Sequence, residues 1–244
     1  MFDAAPFGYI ELTGAFDIDL IARFIEDGGI GGNRMIVLRG LHSEATCARL
    51  SARFNEIVAS HGSNRGEDGV VRNQQIGATQ FKRNGEAYVR ETVRHLSHVI
   101  DLYSVLPAQD VAGLFLDDAL ERAFLKRGKL YRPARHLGGQ SNFATTRKWL
   151  DNGKMALHPH EDTAQIAQAA EDGFEVGTGG HTIAANICLS DDAEGSETVL
   201  WNHRPDPKTR RAMGLEKTGY PYPIAYAEQF DKISVTIRRG IFTS

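Results

Sequence analysis

A change of periodicity at Gly138-Gly139 constrains this chain more than any other feature. Before it, apolar residues recur at helical spacing; after it, short alternating segments are separated by turn-forming residues. A 244-residue chain of this kind predicts an α+β fold. The helical half spans about 1–137 and a β-rich sandwich or barrel about 138–244. No repeat, low-complexity segment or strong linker divides it, so one domain over 1–244 is expected.

In the first half, Leu20, Ile21, Phe24 and Ile25 predict a helix that Gly28-Gly29 stops. Met35 to Leu38 form a compact apolar strand. Ser43 caps a second helix with Leu50, Phe54 and Ile57 on one face, ended by Gly62. Val89, Val93, Leu96 and Ile100 form one further stripe, and Val111, Leu114, Ala119, Ala123 and Phe124 another, both read as core. Residues 63–73 are polar and Gly-containing, the composition of a mobile loop or lid. In the second half, strands are expected near 142–149, 154–160, 182–189, 197–202 and 232–238, with a turn at Asp151-Asn152-Gly153.

Composition narrows the function. With 41% hydrophobic and 24% charged residues the chain reads as soluble and globular, and a net charge of -3 gives no electrostatic case for nucleic acid or an anionic membrane. Small polar substrates stay open. Cys47 and Cys188 are too few for a disulfide framework and read as small buried hydrophobes, which points to a reducing cytoplasm. The start of the chain lacks the charged-then-apolar order of a signal peptide, and no apolar run approaches the ~20 residues of a membrane span. No helix carries the sustained heptad seam that would specify an oligomer.

Chemistry concentrates in residues 154–165, KMALHPHEDTAQ. On a strand, His158, His160 and Asp162 would share one face, so His160 and Asp162 could hold one ion. A His and a carboxylate two apart, completed by a second His from elsewhere, make the facial triad of non-haem Fe(II) oxygenases. The bland alternative is a loop histidine hydrogen-bonded to a nearby carboxylate. A second match, His42-Ser43-Glu44, falls where a helix should open. His158 reads as a supporting or substrate-pocket group.

Taken with Trp149-Leu150-Asp151-Asn152-Gly153, the Ala184 to Ser190 strand and the Glu194 to Asn202 segment, this stretch resembles the Fe(II)/2-oxoglutarate-dependent oxygenases. The similarity is to the bacterial branch containing amino-acid and N-acyl-amino-acid hydroxylases and carrier-free radical halogenases. Arg39-Gly40-Leu41, Gly77-Ala78-Thr79-Gln80 and Pro133-Ala134-Arg135-His136 extend it over most of the chain. The resemblance implies a double-stranded β-helix, the cupin-like jelly roll, flanked by the N-terminal helices. It also implies Fe(II), with 2-oxoglutarate and O2 as co-substrates, His160 and Asp162 as metal ligands, and hydroxylation of an unactivated C–H bond. Halogenases of the branch have Gly or Ala where Asp162 stands, so hydroxylation is the expected outcome.

The family pattern places its second histidine late, after a strand resembling Ile233 to Gly240. Here Ile241 follows Gly240 where the pattern has Asp, and no His follows before Ser244, as in a chain cut short. His203 and His181 are the in-chain candidates for the third ligand, His203 being the choice. The alternative is a protein of the same fold with an incomplete iron site, an inactive enzyme or a small-molecule binder. A Zn hydrolase built on His158, His160 and His203 would leave Asp162 without a role. Arg204 is the candidate partner for a co-substrate carboxylate. Gln80 and Lys82 are candidates for the substrate, with Arg83 beside them, whereas Arg147 and Lys148 read as exposed. Residues 204–226, with Tyr220, Tyr222 and Tyr226, read as a long insertion over the barrel mouth.

Overall fold

Successive burial on both faces makes Met35 to Leu38 the centre of the fold, none of the four being more than 4% exposed. The computed structural model describes residues 7–64, 73–149, 155–178, 181–190, 196–240 and 242–243. Strand β1 (Gly8–Thr13) runs into helix α1 (Ile18–Asp27) and back into β2 (Asn33–Arg39), which lies parallel to β1 with Tyr9 opposite Met35 and Thr13 opposite Arg39. The Asp17 carboxylate accepts from the Leu20 N–H at the start of α1, and Gly28 closes it in the left-handed conformation at φ 68°.

Helix α2 (Glu44–His61) is capped by Ser43 and buries Cys47, Leu50, Phe54 and Ile57. Strand β3 (Asn73–Ile76) is followed by α3 (Gly85–Arg94), α4 (Leu96–Tyr103), α5 (Ala108–Gly113) and α6 (Asp117–Lys126). Ile36 and Leu38 pack with Ile21, Phe24, Leu120 and Phe124, while Met35 and Val37 pack with Val235. The alternation of β2 thus joins two layers of core.

The Val89 to Ile100 stripe departs from expectation. One continuous helix would have buried it, but the chain breaks at His95, which caps α3 with φ -103° and ψ 8° and restarts as α4. The break resets the helical phase. Tyr88, Thr92, Val99 and Leu102 turn inward, whereas Val93, Leu96 and Ile100 are 65%, 46% and 61% exposed. In the next stripe Leu114, Ala123 and Phe124 are buried as expected, joined by Leu120.

The second half continues with β4 (Arg135–His136), β5 (Gly139–Gln140), β6 (Thr146–Trp149), α7 (Thr163–Ala170), a 3-10 turn at Glu175–Thr178, β7 (Asn186–Ile187) and β8 (Glu197–Trp201). Helices α8 (Pro207–Ala212) and α9 (Ile224–Ala227) precede β9 (Lys232–Thr236) and β10 (Phe242–Thr243). The described strands form one sheet ordered β1-β2-β10-β7 and three antiparallel pairs, β3-β6, β4-β5 and β8-β9. Four of the five expected strands are present but shorter. No strand forms over the described part of 154–160. Cys47 is buried, but Cys188 lies just past β7 and is only half-buried, its thiol donating to the Ser190 carbonyl at 3.2 Å. The expected turn at 151–153, and 65–72 of the expected lid, lie outside the described residues. Among those residues no helix is long and apolar enough to cross a membrane.

Candidate metal centre

Residues 158–161 form no regular strand, and the chain bends at Pro159. Two backbone bonds hold them against the segment before α9: Glu161 N–H to the Gly219 carbonyl at 3.0 Å, and Tyr222 N–H to the Pro159 carbonyl at 2.9 Å. Side chains still alternate, with His158 and His160 exposed and Pro159 buried between them. The alternation stops at Asp162, which has helical dihedrals (φ -87°, ψ -13°) and begins α7. The shared strand face expected for His158, His160 and Asp162 therefore reaches only the two histidines.

The donor chemistry of the loop can be read atom by atom. His160 Nδ1 lies 2.9 Å from the His158 carbonyl. A carbonyl only accepts, so Nδ1 carries the proton and Nε2 keeps its lone pair. This is the arrangement by which metal-binding histidines are usually oriented. Asp162 Oδ1 accepts from Gln165 Nε2 at 3.3 Å, while Oδ2 has no hydrogen-bond partner among the described residues. His160 and Asp162 thus each present a free donor atom suited to a divalent metal. The remaining donor is not assembled with them: among the described residues no three His, Cys, Asp or Glu side chains converge as a metal site.

His203 is engaged elsewhere. Its Nε2 shares a 2.6 Å hydrogen bond with the Tyr226 hydroxyl, and its ring stacks on Phe230 with centroids 3.6 Å apart. His181 is also structural, its Nε2 donating to the Ile25 carbonyl at 2.6 Å at the end of α1. At the second sequence match Ser43 caps α2 and His42 donates to the Leu114 carbonyl. Burial pushes the His42 imidazole below its ordinary pKa.

Other expected residues gather around the loop. Arg204 Nη2 donates to Thr163 Oγ1 at 3.0 Å, one residue from Asp162. Tyr220 is buried beneath both histidines, its ring centroid 6.4 Å from that of His158 and 6.1 Å from that of His160. Phe81 meets Tyr220 edge-on at 5.9 Å, with Lys82 Nζ 5.3 Å from the Phe81 centroid. This chain of contacts brings the Gln80 to Lys82 segment to the loop, and Gln80 Nε2 is buried there without a hydrogen-bond partner among the described residues. Arg83 is committed to the Thr79 carbonyl, whereas Arg147, exposed as expected, reaches Gln75 and Thr79.

Sequence reasoning missed the group behind the loop. Arg210 Nη1 donates to Glu161 Oε1 at 2.9 Å, with both side chains largely buried. The 204–226 stretch carries α8 and the start of α9 and buries Tyr220 and Tyr222. Only the Tyr-Pro-Tyr-Pro run at 220–223 hinted at this, since alternate prolines favour an extended segment.

No family model matches the chain. The L-isoleucine 3(1)-dioxygenase of Pantoea ananatis (strain AJ13355) is 42% identical to it over 235 residues, which is 96% of this chain and 79% of that protein.

Proposed function

The chain belongs to the family of that dioxygenase, and from this premise we propose that it is an Fe(II)- and 2-oxoglutarate-dependent hydroxylase of a small amino acid. The observation that carries the metal assignment is the pair of free donors on one short loop, His160 Nε2 and Asp162 Oδ2. The relative's named substrate is isoleucine, which favours a free aliphatic amino acid over an N-acyl derivative. We extend the proposal to the fold, in which the short antiparallel pairs would be parts of a double-stranded β-helix.

Iron bound there, with 2-oxoglutarate and O2, would supply the oxidation of an unactivated C–H bond. The residues of this chain bind, orient and exclude water. The carbonyl of His158 holds the His160 proton on Nδ1, so Nε2 stays a donor toward the metal. Arg204, hydrogen-bonded to Thr163 beside Asp162, would pair with a 2-oxoglutarate carboxylate. Gln80 Nε2 supplies an unused N–H to a substrate oxygen, Lys82 faces its carboxylate, and His158 lines the edge of the pocket. Tyr220 forms an apolar floor under both histidines.

One observation favours a second reading, a protein of this fold with an incomplete iron site: His203 is tied to Tyr226 and Phe230 rather than turned toward His160. Incubating Fe(II)-loaded protein with 2-oxoglutarate, O2 and a panel of aliphatic amino acids separates the two. The proposal expects succinate together with an amino acid one oxygen atom heavier. Iron-bound, folded protein that yields neither supports the second reading, and a chlorinated product in chloride overturns the hydroxylase assignment.

A further inference from the structure

We infer that Glu161, held by Arg210 and Gly219, is the positioning residue of the metal loop, an inference that rests on reading His160 and Asp162 as ligands. Glu161 stands between them in the chain, so its backbone direction sets where both point. It is anchored at four places. Its N–H donates to the Gly219 carbonyl at 3.0 Å, and its Oε1 accepts from Arg210 Nη1 at 2.9 Å. Its Oε2 accepts from the Ala164 N–H in the first turn of α7 at 3.3 Å. Its carbonyl lies against Gly219, where an added Cβ would come to 2.1 Å from the oxygen and where φ is 57°, so only glycine fits.

These anchors hold the loop from its buried side, leaving His160 exposed and Asp162 partly exposed. The Glu161 and Arg210 side chains are only 12% and 16% exposed. A pair so far from water gives little net stability over apolar residues of the same volume. What it does give is direction, since the carboxylate spans the loop and the first turn of α7 at once. Tyr222 completes the group: it is 4% exposed, its N–H bonds Pro159, and its hydroxyl has no hydrogen-bond partner among the described residues. Burial, and then the charge of Glu161, push the Tyr222 phenol up to about 12, so it stays protonated.

The test uses the full chain as wild type, Glu161→Gln, Arg210→Met, Gly219→Ala and the double variant Glu161→Leu with Arg210→Met. The last replaces both charges by apolar groups, which keeps the inference testable should a single variant fail to fold. Two quantities are read: amide hydrogen exchange over residues 158–164, and Co(II) affinity with the visible absorption of the bound ion. We expect faster exchange in every folded variant, Co(II) affinity lower by roughly 10–100-fold as for other groups that orient ligands, and an altered Co(II) spectrum. Wild-type exchange, affinity and spectrum in the folded double variant would overturn the inference. Failure of the ligand reading looks different, since His160→Ala would then bind Co(II) as wild type does. In that case exchange decides alone: acceleration supports Glu161 as the anchor of the loop, and wild-type exchange overturns it.

Discussion

Strand β2 and the 158–161 loop both send successive side chains into different surroundings, yet they are held by opposite means. In β2 both faces are dry: Ile36 and Leu38 meet α1 and α6, and Met35 and Val37 meet Val235. Each such side chain contributes about 1.5–3 kcal/mol through burial. In the loop the outward face carries exposed His158 and His160, and the inward face is fixed by two backbone bonds and the Glu161–Arg210 pair. A strand covered on both sides fixes the fold but offers no donor atom to a ligand. A loop clamped from behind leaves its donors open, at little cost in apolar area.

The contrast makes the largest effects fall at buried apolar positions, those of β2 among them. Ile36→Ala should cost about 2–5 kcal/mol of stability, measured by chemical denaturation, while the folded fraction keeps wild-type Co(II) affinity. Lost affinity in the folded fraction would join the two regions and break the distinction. His203→Ala comes next, removing the bond to Tyr226 and the stack on Phe230 from a partly solvated site. It should cost roughly 1 kcal/mol by the same measurement and leave Co(II) affinity unchanged.

A pH dependence tests the exposed pair of Arg132 and Glu175. Hydrogen bonds from Arg132, and then from the Arg135 N–H, hold the Glu175 carboxyl down at about 2, against 4.5 ordinarily. A depressed carboxyl contributes stability above its unfolded value and loses it as pH falls through the folded one. The advantage of wild type over Glu175→Gln in thermal melts should therefore be complete above about pH 4.5 and fade toward pH 2. The smallest effect is expected at the exposed stripe. Ile100→Ser should change stability by less than about 0.5 kcal/mol, whereas Leu102→Ala, two residues along and buried, should cost about 2–5 kcal/mol in the same denaturation assay.

What could be read from the sequence was what is local. The apolar run of β2, the Ser43 cap, the glycine that closes α1 and the buried face of α2 each depend on neighbours within a few residues, and each stands where expected. The spacing of His160 and Asp162, on which the proposed metal loop rests, could be read for the same reason, being written in three adjacent residues. The break at His95 was not, because the apolar spacing on either side of it continues as if one helix ran through. Nor could spacing show that Glu161 meets Arg210, 49 positions away, or that Gly219 must be glycine to lie against it. The partners of His203 are aromatic residues more than twenty positions on, so its commitment to Tyr226 and Phe230 emerges only in three dimensions.

Anaerobic Fe(II) binding to wild type, His160→Ala and Asp162→Ala tests the account at its centre. Because the 158–162 loop is clamped from behind, with His160 exposed and Asp162 partly exposed, both variants should keep wild-type stability to within about 0.5 kcal/mol. Each should lose Fe(II) affinity by more than the roughly 100-fold that an orienting group can cost. Equal affinity in wild type and His160→Ala would contradict the assignment of this loop as the metal centre.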